Sequence, residues 1–328
     1  MAALLSAGAS LAGAAAAPAQ TCAAPSAVLP PGASAPASCQ PGAGPGGRLR
    51  LQLSGAERAA LAVPCPEASI RPALAPDQSQ YDPADPRLRD AGQMVQRALG
   101  AASVEEEERA WTEILDKYGA VEDAPWRDDL IGRAVGNRGN ARARQGKLAE
   151  ALGDYNESIR TCPWSVDPVL NRGAALEQIG RFEEAARDYR SVLAAAPEDP
   201  AGWNNLGNVQ MSMGDYDASS ASFARATQLA PEFSFAGASR ALAEFSAGRR
   251  EPAIRDLRQV LRKYPGFTDA RASLAAALWA VGKEGAAESE WARVDDPRYR
   301  DLSWVRNTRR WPTPMADALE AFLQLKSV

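Results

Sequence analysis

Three asparagines, Asn137, Asn171 and Asn205, stand 34 residues apart along the chain. Each amide carries a hydrogen-bond donor and an acceptor, so a row of them can hold the backbone of an extended peptide without reading its side chains. Asn140 and Asn208 repeat the amide three residues after the first and the third of them. The spacing therefore indicates recognition of a peptide main chain rather than the making or breaking of bonds.

The sequence offers no set of residues that would support catalysis. It contains no histidine, which excludes Ser-His-Asp and Cys-His catalysis and histidine-ligated metal sites. Its four cysteines form no CxxC pair and fit no zinc spacing. The acidic run Glu105–Glu108 opens a predicted helix, where carboxylates stabilise the helix dipole. We therefore predict a protein that is not an enzyme and has no metal site and no cofactor.

Composition limits the class of partner. The chain has 328 residues, 45% of them hydrophobic, and a formal net charge of −4. This content is enough to bury a core, while the charge gives no attraction to nucleic acid. We therefore expect a protein partner and no nucleic acid.

The residues around these asparagines repeat with the same period of 34. The period predicts five repeats, about 132–165, 166–199, 200–233, 234–267 and 268–299, and a place in a repeat is counted from its first residue. The fifteenth place is always glycine: Gly146, Gly180, Gly214, Gly248 and Gly282. Large residues fill the twenty-fourth place: Tyr155, Tyr189, Phe223, Leu257 and Trp291.

The residue types at these places predict a helical hairpin. Glycine at place fifteen supplies the left-handed conformation that ends the first helix. Small residues at places eight and twenty let the two helices approach closely, and the large residue at place twenty-four fills the space beside them. Proline at place thirty-two, as at Pro163 and Pro197, ends the second helix. Each hairpin leaves an apolar face uncovered, so neighbouring hairpins should stack.

This pattern resembles the tetratricopeptide repeat (TPR). The third repeat fits best, with these residues where the family has them: Trp203, Leu206, Gly207, Gly214, Tyr216, Phe223, Ala226 and Pro231. The resemblance implies an all-α fold, a right-handed superhelix (α-solenoid) of about five helix-turn-helix repeats. Departures are Arg138, Arg172 and Arg240 in place of leucine at place seven, and Ala241 in place of glycine at place eight.

The resemblance also implies a concave groove lined by the first helix of each repeat, at places two, five, six, nine, twelve and thirteen. The predicted peptide-binding residues are Asn137, Asn140, Asn171, Asn205, Asn208 and Arg144. Asparagine at place six has a second interpretation, because in this family it also links neighbouring repeats. The carboxylate clamp of chaperone-binding members is not expected, because its cationic places hold Gly136, Ala201 and Asn205.

Capping elements are predicted on both sides of the repeats. Residues 85–131 are assigned to N-terminal capping helices, with an antiparallel pair at about 86–100 and 103–118. Residues 300–328 form a closing segment with an amphipathic helix at 314–326 that should cover the last repeat.

The closing segment contains "SWVRNTRRWP", residues 303–312, and permits two interpretations. Its tryptophans can wedge the last helix onto repeat five, with the arginines braced against Asp295, Asp296 and Asp301. Alternatively the segment contacts a partner, or it is a structural oligomerisation module that contacts a second copy or an acidic membrane surface. The candidate contact residues are Arg306, Arg309, Arg310, Trp304 and Trp311.

The tail also resembles that of a family of cyanobacterial and plastid TPR proteins that end in Trp-x-x-x-x-Arg-Arg-Trp-Pro. That resemblance implies a chloroplast protein, in the thylakoid lumen or associated with thylakoids, that works as a scaffold in the assembly or maintenance of photosynthetic complexes. Membrane association would then occur only through a partner. Residues 1–19 fit the remnant of an export signal. Residues 20–84 are rich in Ala, Pro and Gly and predict a disordered linker, with one short helical turn at Ser54–Leu61.

Overall fold

The protein is described by a computed structural model that covers Leu61 and residues 64–324. The predicted export signal at 1–19 lies outside these residues, as does the helical turn at Ser54–Leu61 apart from its last residue. Within the described part of the chain all regular structure is helical, in thirteen α-helices with short 3-10 and π segments. The all-α fold class is therefore confirmed.

The helices form consecutive hairpins. The N-terminal hairpin consists of α1 (Pro86–Leu99) and α2 (Val104–Tyr118). Five further hairpins follow, and the last helix, α13, covers Thr313–Gln324. The five hairpins are α3 (Arg127–Arg144) with α4 (Leu148–Thr161), α5 (Asp167–Gln178) with α6 (Phe182–Ala195), α7 (Pro200–Ser212) with α8 (Tyr216–Leu229), α9 (Ser234–Ser246) with α10 (Arg250–Lys263), and α11 (Thr268–Ala280) with α12 (Glu284–Trp291).

The five hairpins follow the predicted period, with one difference at the beginning. Helix α3 starts at Arg127 instead of 132, and Asp128 and Asp129 stand in its first turn. Carboxylates there stabilise the helix dipole, and Trp126, just before the helix, is 1% exposed. The extra turn is therefore built from residues that the sequence analysis assigned to the capping region.

The described chain divides into two compact units. The first unit ends at Pro197 and holds the N-terminal hairpin and the first two repeat hairpins; the second begins at Glu198 and holds the other three and the closing segment. A core in the first unit joins the N-terminal hairpin to α3 through buried residues such as Trp111, Ile114 and Leu130. The main core of the second unit runs from α9 to α13.

The glycine at place fifteen ends the first helix of each hairpin, as predicted. All five of these glycines have positive φ, between 73° at Gly282 and 85° at Gly248. A side chain is strained in that conformation, which explains why no other residue type occupies the place.

The glycine at place eight is required by the ring at place twenty-four. A Cβ added to Gly173 would lie 2.8 Å from Cε1 of Tyr189, and one added to Gly207 would lie 2.8 Å from Cε1 of Phe223. A Cβ added to Gly139 would lie 2.9 Å from Cε1 of Tyr155. The expected close approach of the two helices is therefore confirmed in the first three hairpins.

The fourth hairpin keeps the same packing with a different pair of residues. It has Ala241 at place eight and Leu257 at place twenty-four, and both are fully buried in one cluster. Leucine lacks the flat ring that presses on the glycine elsewhere, so a methyl group fits at place eight.

The closing helix covers the end of the second unit. The ring of Phe322 lies 5.5 Å from those of Trp279 and Trp291, and Met315 and Leu319 beside it are fully buried. The apolar face predicted for residues 314–326 therefore packs on repeat five over the part that the structure describes.

Residues 64–84 do not form the predicted disordered linker. They contain two 3-10 turns, Pro72–Leu74 and Gln78–Gln80, and the side chains of Cys65 and Tyr81 are 7% and 3% exposed. The prediction was wrong here because it considered only the apolar surface that the segment itself can bury. The segment is held instead by hydrogen bonds between its backbone and charged or polar side chains of the second hairpin.

The N-terminal hairpin is attached to the first repeat hairpin by an ionic cluster around Glu108. Its carboxylate accepts from Arg142 Nε at 2.9 Å, from Gln145 Nε2 at 2.8 Å and from Lys147 Nζ at 2.7 Å. Hydrogen bonding to Lys147, and then to Arg142 and Gln145, lowers the pKa of Glu108 to about 2 against the opposing effect of burial.

Replacing Gly173 with alanine should destabilise the protein. The new methyl group would overlap Tyr189, and overpacking of a core costs about 1–3 kcal/mol, more than the roughly 1 kcal/mol gained from helix propensity. In a Tyr189→Leu background, which copies the pair found in the fourth hairpin, the cost of Gly173→Ala should shrink. Urea unfolding measures both effects. Gly153→Ala is the control, because no atom lies within 4 Å of its added Cβ, and it should be neutral or stabilising.

The Glu108 cluster should make stability fall in acid. A carboxyl group whose pKa is depressed on folding contributes stability above its unfolded pKa, and this contribution is lost as pH falls through the folded pKa. Relative to Glu108→Gln, the wild-type chain should lose stability between about pH 4.5, near the unfolded pKa, and about pH 2. Urea unfolding at several pH values measures the difference. Lys147→Met should give an intermediate profile, and parallel profiles for wild type and Glu108→Gln would contradict the role of this cluster.

Candidate functional site

The predicted peptide-binding asparagines of the first hairpin are partly engaged within it. Both lie half-buried on α3, where Asn140 Nδ2 approaches Asn137 Oδ1 at 3.5 Å. The hydroxyl of Tyr155 donates to Asn140 Oδ1 at 2.9 Å. Burial, with the nearby Asp154 charge, raises the pKa of Tyr155, so the phenol stays protonated and able to donate. Asn140 therefore also has a structural task.

Asn171 and Asn205 differ from that pair. Asn171 is half-buried on α5 in the first unit, and Asn205 is 8% exposed on α7 in the second. Within the described part of the chain neither side-chain amide makes a hydrogen bond, so Asn171 does not link its hairpin to the neighbouring one. Asn208 is half-buried on α7, where its backbone oxygen accepts from Ser212 Oγ at 3.0 Å. Among the described residues, only Asn137 of these three place-six asparagines has a side-chain hydrogen bond.

Arg144 stands apart from these asparagines, at the end of α3. Its guanidinium donates to the carboxylate of Glu107 in the N-terminal hairpin, next to the Glu108 cluster. Its charge is therefore already balanced within the first unit. Its predicted role in binding a peptide stays a prediction.

The unusual arginines at place seven form ion pairs that the sequence analysis did not find. Each pairs with the aspartate at place twenty-three of its own hairpin, sixteen residues later. The closest N–O distances are 2.7 Å for Arg138–Asp154, 2.6 Å for Arg172–Asp188 and 2.7 Å for Arg240–Asp256. The signal was present in the sequence, because the third hairpin, which has leucine at place seven, has serine at place twenty-three.

The Arg172–Asp188 pair is the most buried of the three. Its side chains are 1% and 5% exposed, compared with 31% and 20% for Arg240–Asp256. Burial raises the pKa of Asp188, while the hydrogen bonds and charge of Arg172 lower it. The guanidinium also donates to Asn156 Oδ1 at 2.7 Å and to the backbone oxygen of Pro66 at 2.9 Å. Each nitrogen of this guanidinium therefore donates at least one hydrogen bond, as a buried cation requires.

The tail is organised around one buried aspartate of α11 that the sequence analysis did not single out. Asp269 is 2% exposed and accepts from Tyr299 Oη at 2.8 Å, from Trp311 Nε1 at 3.0 Å and from Arg309 Nε at 2.7 Å. Arg309 also reaches the second carboxylate oxygen, at 2.5 Å. The expectation that the arginines brace against Asp295, Asp296 and Asp301 was wrong. Those three acids bond Thr268, Arg298 and the start of the π segment Trp304–Thr308.

The other candidate contact residues of the tail lie nearer the surface. Arg306 is exposed and donates to Asp317 at 2.6 Å and to Glu320 at 2.7 Å, both on α13. Arg310 is exposed and has a positive φ of 57°. Trp304 is half-buried, edge-on to the ring of Tyr299 at 5.2 Å and 4.8 Å from the guanidinium of Arg298. The ion pairs of Arg306 and Arg309 therefore hold this segment to α13 and α11.

The second unit also carries an open pocket of about 600 Å³ between α9, α11 and α13. Phe245 and Trp279, both at place twelve, form part of its lining, with Ala318 of the closing helix opposite. Arg250 and Asp317 add one charge of each sign. Place twelve is one of the inward places that the family resemblance implies, so the pocket could have been predicted from the aromatic residues there.

No group of three or more cysteine, aspartate or glutamate side chains is arranged to hold a metal ion among Leu61 and residues 64–324. In the same residues, every helix is too short or too polar to cross a lipid bilayer.

Replacing Asp269 with asparagine should weaken the closing segment strongly. The change keeps the shape but leaves the buried guanidinium of Arg309 without its counter-charge, which costs about 3–5 kcal/mol. Arg306→Gln is the matched control, because exposed pairs contribute about 0–1 kcal/mol. Urea unfolding followed by tryptophan emission compares the two variants. Equal losses of stability would contradict the role assigned to Asp269.

Comparisons with known proteins support this geometry. A family model described as tetratricopeptide repeat matches residues 170–232, and a second model with the same description matches residues 240–266. No curated protein matches the sequence. Tetratricopeptide repeats generally serve as non-enzymatic scaffolds that bind peptide or protein partners, and neither model describes a catalytic family.

Solved structures agree on the fold. A tetratricopeptide repeat protein from Parabacteroides merdae is 17% identical with a TM-score of 0.56, and the match covers 73% of this chain and all of that one. MamA from Desulfovibrio magneticus is 19% identical with a TM-score of 0.47, covering 54% and 94% of the two chains. YrrB, described as a TPR protein with an unusual peptide-binding site, is 16% identical with a TM-score of 0.46, covering 57% and 89%.

Only the first of these scores is high enough to support an argument, and at this identity it concerns the fold alone. The family models and the place-by-place packing of the hairpins agree with it. The chain therefore contains tetratricopeptide repeats, matched directly over residues 170–232 and 240–266.

Proposed function

We propose that the protein is a non-enzymatic adaptor that binds an extended segment of a partner protein through the inward places of its first helices. The observation that carries this proposal is the state of the asparagines at place six. The amides of Asn171 and Asn205 occur at the same place in two hairpins, and neither makes a hydrogen bond within the described part of the chain.

An unpaired amide in such a position favours a ligand. Asn205 is only 8% exposed, yet its amide atoms are not among the fully buried unpaired atoms of the described residues, so they keep some contact with solvent. A peptide main chain offers a donor and an acceptor at every residue, so it can pair with both groups of the amide. The proposed ligand is therefore an extended backbone rather than a small molecule.

The pocket beside α13 provides for one side chain of such a ligand. Phe245, Trp279 and Ala318 give it an apolar wall, and Arg250 and Asp317 supply charges of both signs. Apolar surface with a few polar groups is typical of sites that anchor one residue of a ligand. An apolar side chain of the partner is therefore expected in the second unit.

The tail gives weaker support to the alternative function, a structural oligomerisation module. Arg309 is occupied by Asp269, and Arg306 by Asp317 and Glu320. A contact through these arginines would have to replace intramolecular ion pairs. A ligand on the side-chain amides of Asn171 and Asn205 requires no such exchange, and we favour this function.

We further propose that the protein acts in the chloroplast, in the thylakoid lumen or on thylakoids, in the assembly or maintenance of photosynthetic complexes. The support is the resemblance of the tail Trp304–Pro312 and of the N-terminal residues 1–19 to plastid proteins. Fractionation of plastids tests it: a mature chain in the thylakoid fraction is the expected result. Recovery of an unprocessed chain outside plastids would contradict it.

Removing the place-six amides should weaken peptide binding without unfolding the protein. Peptides are first selected on the full chain from a library, and their affinities are then measured for Asn137→Ala/Asn171→Ala in the first unit and Asn205→Ala in the second. Each lost hydrogen bond is worth about 1 kcal/mol, so at least one variant should bind about fivefold or more weakly.

Asn307→Ala provides the control, because this asparagine is exposed in the tail and bonds only locally, to Ser303. Circular dichroism should show unchanged helicity and melting for all variants. Unaltered affinity in both asparagine variants would remove the place-six surface from consideration.

A further inference from the structure

The segment that precedes the N-terminal hairpin packs on the second repeat hairpin like a bound peptide. Residues 64–70 have no helix or turn of their own. Their backbone follows α6 in the same direction, with the amide of Cys65 on Glu184 at 3.0 Å and the oxygen of Ala68 on Ser191 at 2.9 Å. Three extended residues and seven helical residues both span about 10 Å, so the two chains stay in register.

Most of the contacts go to the main chain of the segment. Arg181 Nη1 donates to the oxygen of Leu61 at 2.8 Å, and Arg172 Nη2 donates to that of Pro66 at 2.9 Å. Further along, the amide of Arg71 donates to the oxygen of Pro163 at 2.7 Å. Hydrogen bonds to backbone groups give affinity without reading the sequence.

The side chains of the segment contribute at few positions. Pro64, Pro66 and Glu67 point to solvent, and Glu67 meets Arg187 only at 3.7 Å. Cys65, in contrast, is 7% exposed. The surface therefore accepts an extended chain with a small, weakly polar side chain at one position and tolerates proline on either side.

The receiving side chains are also held by residues outside the segment. The guanidinium of Arg172 is held by Asp188 through Nε at 2.8 Å and Nη2 at 2.6 Å, and by Asn156 through Nη1. Arg181 pairs with Glu184 at 2.5 Å. Preorganised donors reduce the entropy lost on binding, which is the property of a built site.

A comparison within the chain shows what the segment adds. The equivalent pair of the fourth hairpin, Arg240–Asp256, has side chains 31% and 20% exposed, whereas those of Arg172–Asp188 are 1% and 5% exposed. The same ion pair is thus deeply covered where the segment lies.

We propose that the second hairpin carries a binding site for an extended, proline-containing peptide, formed by Arg172, Arg181, Glu184 and Ser191, and that residues 64–71 are its internal ligand. The site takes a main chain with one small apolar side chain, and a peptide of this chemistry from a partner protein competes with the segment for it. None of its contacts involves the place-six asparagines, so it does not depend on the function proposed above.

Release of the segment should expose the site in the full chain. Cys65→Arg puts a long side chain in the space of a small one that is 7% exposed, and should expel the segment without altering the receiving side chains. Hydrogen exchange should then become fast at the amides of Cys65 and Arg71, which donate hydrogen bonds in the bound segment, while α6 stays protected. Continued protection of these two amides would count against the proposal, because the position of Cys65 would not be part of the site.

A fluorescent peptide of residues 61–73 with alanine in place of Cys65 is the probe. Fluorescence anisotropy should show binding to the Cys65→Arg chain at least about tenfold tighter than to wild type, because the tethered segment competes at a high effective concentration. Adding Ser191→Ala and Glu184→Ala to the Cys65→Arg chain should weaken binding about tenfold or more, since two hydrogen bonds are lost.

Two results would overturn the proposal. One is a Cys65→Arg chain with fast exchange at the amides of residues 65 and 71 and intact helices that binds no probe at 1 mM. The other is equal probe affinity for wild type and for Cys65→Arg. Asn171→Ala serves as the control, because it lies next to Arg172 but makes none of these contacts, and should leave probe binding unchanged.

Discussion

The close approach of the two helices within each hairpin is the constraint on which the other features depend. A ring at place twenty-four lies so near the backbone at place eight that a Cβ on Gly173 or Gly207 would come within 2.8 Å of it. This contact fixes the spacing and rotation of the helices, and therefore which places face the partner helix and which remain outside. Place six is left for amides, while place seven is directed at the second helix of the same hairpin.

The direction of place seven explains the arginines that depart from the family pattern. A cation there needs a counter-charge, and place twenty-three supplies it in the three hairpins that have arginine. A buried ion pair contributes little net stability but is costly to break, so both partners must be present together. In the second hairpin the pair also holds the segment at 64–71, because Arg172 donates a further hydrogen bond to the backbone oxygen of Pro66.

The sequence predicted the parts of the fold that depend on local residue types. Period, helix ends and the glycine at place fifteen all follow from preferences of single residues, and the structure confirms them. The ion pairs needed a comparison of two places within one repeat, and Asp269 needed knowledge of how the tail folds back on α11. Whether the asparagines bind a peptide is a different question, because exposure of an amide can be seen in the fold whereas affinity for a ligand cannot.

Amino-acid composition predicted disorder for residues 64–71, which the structure shows to be ordered. These residues are typical of disorder, since Ala and Pro bury little surface and leave the ordering entropy unbalanced. What the composition does not show is that such a chain keeps every backbone carbonyl available, and that Arg172, Arg181 and Ser191 can bind three of them. A stretch that cannot fold alone thus becomes ordered because a neighbouring hairpin provides side-chain donors for its backbone carbonyls. The property that makes it a poor core element, a main chain without bulky side chains, also makes it suitable as a ligand.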